Sequence, residues 1–269
     1  MALIEIANAV LRLIDAGEYQ VGSQSVQFNA EQTRALKDTR LYTPDQLASF
    51  APSTGRSPKV CVVDGTTQVV AQELAKPGDG SAGLLNFASG RNPGGGFLNG
   101  AKAQEEDLCR CSGLYPCLLQ CPEYYEANRN QSSLLYTDHA IFSPQVPFFK
   151  THGTGELLAV PFFISVITAP APNSAPFLRG QPNAVEELRS TFMRRWRNVL
   201  RIARDQGIKR LLLGAWGCGA FGGDPVMASL TAKEAIEVDG KGIDEIIFAI
   251  PSSGRLSNAN LQAFKATLA

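Results

Sequence analysis

The chain has no surplus of charge of either sign: Lys+Arg and Asp+Glu are 25 each among 269 residues. No broad basic field therefore draws it to nucleic acid or to a membrane surface, and any polyanion must be held by a local site. It also lacks an apolar run long enough to span a bilayer. The N-terminal stretch carries Glu5 and Asp15 without a basic leader segment, so no secretory signal is expected and the chain is expected to be cytoplasmic. Histidine is scarce. His139 and His152 are the only two, both in predicted loops, which leaves a histidine-based triad little support. Repeats and low-complexity tracts are absent. Six cysteines are present, four of them clustered as Cys109, Cys111, Cys117 and Cys121. Their C-x-C-x5-C-x3-C spacing matches no usual zinc knuckle. Much of the cluster falls in one predicted helix, where positions two apart face different directions. Reduced thiols are the expectation, with no metal and no cofactor.

What is present is an alternation of short apolar runs and helical stretches. Lys59–Val63, Gly83–Ala88, Ile141–Ser143, Leu157–Thr168, Arg210–Leu213 and Glu245–Ile250 read as strands, the fourth interrupted at Pro161. Thr66–Leu74, Lys102–Leu114 and Pro225–Glu237 read as helices, and a terminal helix closes the chain. A long amphipathic helix places Val185, Leu188, Phe192, Trp196 and Val199 on one face. Its arginines, Arg189, Arg194, Arg195, Arg197 and Arg201, read as a solvated outer face. The order implies an α/β sandwich around a mixed sheet. Residues 1–55 read as a helical extension with no strong strand, packed on the same single domain (1–269). The Pro-rich stretch Asn173–Pro176 reads as an irregular surface loop.

Two loops that leave strands are nearly bare of side chains. Gly94-Gly95-Gly96 follows the second strand, and Gly214 to Asp224 follows the strand at Arg210–Leu213. Both lead into predicted helices, whose free N–H groups and positive dipole ends attract phosphate. Two facing loops of this kind suit a diphosphate, and Phe221 between glycines suits stacking on a base or ribose. Trp216 is expected in the core. Gly217-x-Gly219-x-x-Gly222 is a formal dinucleotide fingerprint, with Glu237 and Asp239 at about the expected distance. Too little chain follows for the second half of a doubly wound domain, so a nicotinamide-dependent oxidoreductase is the least favoured reading.

Glu105 and Glu106 are adjacent and sit where a helix begins. Two such carboxylates cannot flank a glycosidic bond from opposite sides, as the usual glycosidase pair does. One must be the working acid and the other a positioning partner. Burial and a neighbouring like charge raise a carboxyl pKa toward the value that a general acid needs.

These residues resemble a known family. Gly94-Gly95-Gly96 followed by Gln104-Glu105-Glu106 is similar to the signature of poly(ADP-ribose) glycohydrolases, whose catalytic domain is a macrodomain. The resemblance is to the shorter bacterial-type branch. It extends over Asn86–Ser89, Asn92–Phe97, Ser112–Pro116, Gly214–Phe221, Phe248–Ile250 and the helix at Ile6–Tyr19, nearly the whole chain. It implies a three-layer α/β/α macrodomain-like fold with a mixed central sheet and an N-terminal helical extension. It also implies hydrolysis of the ribose–ribose O-glycosidic bond of poly(ADP-ribose), with ADP-ribose released. By the same resemblance Glu106 is the general acid and base, and Glu105 orients ribose hydroxyls. Gly94, Gly95 and Gly96 form a first diphosphate loop. Gly217, Cys218, Gly219, Ala220 and Phe221 form the second, and Asn99 and Gln104 line the distal ribose and steady the acid. Poly(ADP-ribose) or ADP-ribosylated proteins are the implied substrates. No sequence-specific nucleic acid or membrane partner is implied. Two alternatives remain: a hydrolase of single ADP-ribose units on protein or nucleic acid, and a macrodomain that reads ADP-ribose without cutting it. The intact Gln104-Glu105-Glu106 argues against the reader.

Overall fold

The computed structural model of the protein describes residues 2–268. The chain enters through α1 (Leu3–Ala16), which buries Ile6, Val10 and Ile14 at helical spacing and ends at Gly17 in the left-handed conformation. A hairpin of β1 (Glu18–Val21) and β2 (Gln24–Gln27) follows, then α2 (Asn29–Asp38), β3 (Arg40–Tyr42) and α3 (Pro44–Ala48). These three short strands stand in a stretch expected to be helical with no strong strand. They are three or four residues long, polar, and bury few side chains, so no apolar run announces them. β3 pairs antiparallel with a later strand and forms one edge of the main sheet. The helical extension thus also contributes a strand to the core.

The next elements are β4 (Lys59–Val63), α4 (Thr67–Leu74) and β5 (Ala82–Phe87), followed after the first glycine loop by α5 (Gln104–Cys111), α6 (Leu114–Leu118) and α7 (Pro122–Arg129). The helix expected over Lys102–Leu114 is interrupted at Ser112 and Gly113. Ser112 forms an isolated bridge to Phe148, and Gly113 leaves no room for a Cβ against the Gln32 side chain. Pro116 lies within the first turn of α6 and does not end a helix. N–H groups in a first turn have no helical partner to lose. β6 (Ala140–Phe148) and β7 (Phe162–Ala169) come next, and residues 157–161 are not strand. Ser174–Gly180 is a short helix, α8, with Ser174 buried, where an irregular loop was expected. The chain closes with α9 (Val185–Asp205), β8 (Arg210–Leu213), α10 (Pro225–Asp239), β9 (Glu245–Ala249) and α11 (Arg255–Leu268).

The main sheet runs in the order β3-β6-β7-β5-β8-β9-β4. β7, β5, β8, β9 and β4 are mutually parallel, while β6 and β3 are antiparallel to their neighbours. Its two faces build two cores, which makes the molecule three-layered. Leu84, Leu212 and Ile247 join the core beneath α1, α2 and α4 to α7. Their strand neighbours Leu85, Leu211, Leu213, Ile246 and Phe248 join the core beneath α9, α10 and α11. Strand side chains alternate in direction, so apolar residues at successive positions require cover on both faces.

The arginines of α9 do not form a simple solvated face. Arg195 is 2% exposed and its Nε donates to Asp138 at 2.8 Å. Arg197 and Arg201 converge on Asp239, at 2.6 and 3.2 Å, and Arg204 approaches it at 3.7 Å. Asp239 is itself buried. The partner carboxylates lie far away in sequence, so the helix pattern carries no sign of them.

Candidate active site

The carboxyl ends of β5, β8 and β9 open into a cleft of ≈ 1250 Å³. This is where open α/β sheets place ligands. Glu105 and Glu106 line it from the first turn of α5, and Gly217, Gly219, Ala220 and Phe221 line it from the loop after β8.

Gln104 fixes the start of α5. Its Oε1 accepts from the Phe87 amide at 2.8 Å, and its Nε2 donates to the Leu85 carbonyl at 2.8 Å and to Thr67 Oγ1 at 3.3 Å. The side chain thus ties α5 to the end of β5 and to α4, and so steadies the two glutamates that follow. Glu105 is buried, with Oε2 accepting from the Ser89 amide at 2.7 Å and Oε1 from Asn86 Nδ2 at 3.2 Å. Asn86 also donates to Thr168 Oγ1 at 3.2 Å. Burial pushes the Glu105 carboxyl up to about 8 against the pull of these donors, and the neighbouring Glu106 charge adds to the rise.

Glu106 is held differently. Its Oε1 accepts from the Gly96 amide at 2.8 Å. Its Oε2 is buried and has no hydrogen-bond partner among the described residues. A dry carboxylate oxygen without a partner is costly to leave so. A hydroxyl brought by a ligand removes that cost. The pair therefore divides its roles by geometry: each oxygen of Glu105 already accepts a protein hydrogen bond and keeps a second lone pair, while one oxygen of Glu106 accepts none and is available for chemistry.

The first glycine loop serves this pair. Gly94 and Gly95 are left-handed, with φ of 66° and 58°. A Cβ on Gly95 would overlap Glu106 Oε1 and lie 3.1 Å from Glu105 Oε2. The Gly95 amide is spent on the Asn92 carbonyl at 3.0 Å and the Gly96 amide on Glu106. The bareness of this loop thus makes room for two carboxylates. Asn99 is exposed at the end of a 3-10 turn over Phe97–Asn99 and does not line the cleft.

The second loop is more open. Cys218 is buried, with its thiol pushed up to about 12 by burial, so only its backbone can meet a ligand. Trp216 is fully buried in the core, as expected, and packs edge-on against Trp196 at 4.8 Å. The amides of Gly219, Ala220 and Phe221 donate to no backbone oxygen among the described residues. They lead toward α10, where Asp224 caps the helix by accepting from the Val226 amide at 2.9 Å. Such a row of free N–H groups is an anion cradle. Phe221 is half-buried, 6.0 Å from the Tyr136 ring.

The dinucleotide reading of Gly217-x-Gly219-x-x-Gly222 meets a geometric obstacle. Asp239 is the last of the fifteen residues of α10, so about 21 Å of helix separates it from the loop. There it is engaged by arginines and cannot reach a ribose. His152 sits exposed at the rim of the cleft, and its Nδ1 accepts from the Thr154 amide at 3.2 Å. His139 bonds to Thr137. The clustered cysteines are free and buried. Among the described residues no three His, Cys, Asp or Glu side chains gather as a metal ion would require.

Sequence reading gave no role to Asn86 and Ser89, although the resemblance extends over them, and missed Tyr136. Asn86 could have been noticed, because a polar side chain between Leu85 and Phe87 in a buried strand needs a partner. No local pattern points to the other two.

The model of the microbial-type PARG catalytic domain matches residues 7–151. The structure is similar to that of poly(ADP-ribose) glycohydrolase from Thermomonospora curvata, with a TM-score of 0.87, 35% identity and 98% of each chain covered. It is also similar to that enzyme bound to the inhibitor ADP-HPD, with a TM-score of 0.84, 35% identity and the same coverage. The Deinococcus radiodurans enzyme in complex with ADP-ribose has a TM-score of 0.78 and 36% identity over 93% of this chain and 98% of that one. Comparison with curated protein sequences gives no match.

Proposed function

The chain belongs to the microbial-type poly(ADP-ribose) glycohydrolase family and is a glycoside hydrolase acting on poly(ADP-ribose), and we propose that Glu106 alone is its general acid and base. The observation that carries this reading is the unpartnered, buried Oε2 of Glu106 beside a Glu105 whose two oxygens are each anchored by a protein donor. ADP-ribose, the ligand of the Deinococcus structure, is the product that the same cleft would hold. Its diphosphate lies over the free amides of Gly219, Ala220 and Phe221, with the Phe221 ring beside the adenosine portion. The distal ribose sits at Glu105 and Glu106, and Gly94, Gly95 and Gly96 bound it while holding the acid.

In the reaction Glu106 passes its proton to the ribose oxygen of the departing unit as the C–O bond breaks. Positive charge then develops on the sugar as an oxocarbenium-like state. Water attacks the anomeric carbon and returns a proton to Glu106, which closes the cycle. Glu105 binds ribose hydroxyls and keeps the sugar in line. Among the described residues the only other carboxylate lining the cleft is Asp107, the next residue of the same helix, so the attacking water is positioned in part by the substrate's own phosphate. The catalytic unit is the whole 1–269 chain as one domain, because β3 from the N-terminal stretch pairs into the main sheet.

The test is to incubate the protein with labelled poly(ADP-ribose) and, separately, with mono-ADP-ribosylated protein, and to resolve the products by chain length. Release of free ADP-ribose from polymer, with the protein-linked unit left in place, is the expected result. Release of the single protein-linked unit at a comparable rate would favour the mono-ADP-ribosyl hydrolase instead.

A further inference from the structure

Tyr136 has a left-handed backbone, φ 61°, that a tyrosine adopts only at a cost. Such strain persists where the surroundings over-determine it, and an observed outlier is a reason to look for function. The surroundings here are specific. The buried Arg195 donates from Nη2 to the Leu135 carbonyl and from Nη1 to the Pro170 carbonyl, each at 2.5 Å, and from Nε to Asp138. It therefore grips the chain on both sides of Tyr136 and bolts it to the end of β7. The Asn173 amide donates to the Leu134 carbonyl at 3.0 Å, and the Ala175 amide to the Phe221 carbonyl at 3.0 Å. Held in this frame, the Tyr136 ring lies against the turn after β5 and against the second loop. A Cβ on Gly90, just past β5, would lie 2.8 Å from the ring, and Phe221 packs on it at 6.0 Å and 40°.

We propose that Tyr136 is a positioning residue, a spacer anchored by Arg195 that sets the gap between the turn after β5, where the Ser89 amide holds Glu105, and the loop carrying Phe221. This rests on the reading of the cleft given above. A ligand held by the second loop then presents its reacting bond to Glu106 at a fixed distance. Without the ring, Phe221 loses its backing and the turn and the loop lose their common reference. Tyr136 acts through Phe221 and the Gly90 turn, so the ring is needed and its hydroxyl is not.

The experiment compares Tyr136→Gly, Tyr136→Phe and Phe221→Ala, and combines Tyr136→Gly with Phe221→Ala, in the full chain. Glycine accepts the left-handed backbone without strain, so Tyr136→Gly is expected to keep its melting temperature within a few degrees while removing the ring. It should raise the ADP-ribose dissociation constant at least 5-fold and lower kcat on poly(ADP-ribose) at least 10-fold. Tyr136→Phe should stay within 2-fold of wild type in both. The double variant should bind ADP-ribose no worse than Phe221→Ala alone, because coupled residues are not additive. Folded Tyr136→Gly with unchanged binding and turnover would overturn the proposal, as would strictly multiplicative effects in the double variant. If Tyr136→Gly does not fold, Tyr136→Asn, which also tolerates this backbone, takes its place with the same expectations. Absence of polymer hydrolysis by the wild-type protein would instead sink the reading of the cleft.

Discussion

Gly95→Ala separates the two glycine loops by what each does. The added Cβ would overlap Glu106 Oε1, lie 3.1 Å from Glu105 Oε2 and stand in a backbone with φ 58°. Real Cβ atoms do not come within 3.0 Å of another atom, so Glu106 must swing away by on the order of 1 Å, and misplacement of that size costs about 10²-fold in rate. The left-handed alanine adds roughly 1–2 kcal/mol of destabilisation, a fall in melting temperature of several degrees at most for a domain of this size. The damage is to the acid, while the free amides of the second loop are untouched. Kinetics on labelled poly(ADP-ribose) should show kcat reduced about 100-fold, with ADP-ribose affinity by calorimetry within about 3-fold of wild type. Gly219→Ala is the counterpart. A Cβ there meets nothing within 4 Å and its backbone is not left-handed, so it projects into open space where ligand would lie. It should weaken ADP-ribose binding with little change in stability. If Gly95→Ala weakened binding and spared kcat, the first loop would be a phosphate cradle and its role as a carboxylate cradle would be wrong.

Three further outcomes follow from the same geometry. Phe221→Ala should weaken ADP-ribose binding by about 1–3 kcal/mol, the range for base–aromatic stacking, measured by calorimetry, with a small change in melting temperature. Asp239→Ala should destabilise the fold by about 3–5 kcal/mol in denaturant unfolding, because it strands arginines around a buried site, and should leave the ADP-ribose affinity of the folded fraction unchanged. Glu105, raised from 4.5 to about 8 by burial, contributes stability that is complete below pH 4.5 and lost as pH rises toward 8. Glu105→Leu should therefore flatten that part of the pH–stability profile, seen by chemical denaturation at several pH values.

The legible part of the fold is the part whose signal is local. β5, β8 and β9 are apolar runs buried on both faces, β4 is a half-buried apolar run at the sheet edge, and the bounds of all four fall within a residue of those expected. β1, β2 and β3 escaped because short polar strands at an edge need few buried side chains. The ion pairs of Arg195 and Asp239 escaped because pairing across 57 or 42 residues leaves no periodic trace. In the site, Gly94 to Gly96 and Gln104 to Glu106 were visible as a spacing. Their division of labour was not, since a loop that cradles a carboxylate and one that cradles a phosphate are equally rich in glycine. Only the direction of the Gly96 amide distinguishes them. Tyr136 was invisible for the same reason: its neighbours Gly90, Phe221 and Arg195 are brought together by the fold alone.

The central claim is that Glu106 performs the proton transfers, and Glu106→Gln tests it with the least disturbance of shape. The amide can still accept from the Gly96 N–H but has no labile proton for the departing oxygen. General acid–base catalysis typically contributes 10²–10⁴-fold, so turnover of labelled poly(ADP-ribose) should fall by about that factor while calorimetry finds ADP-ribose bound within a few-fold of wild type. A folded variant retaining more than about a tenth of the wild-type rate would contradict the assignment, since it would leave far less than the usual contribution to this residue.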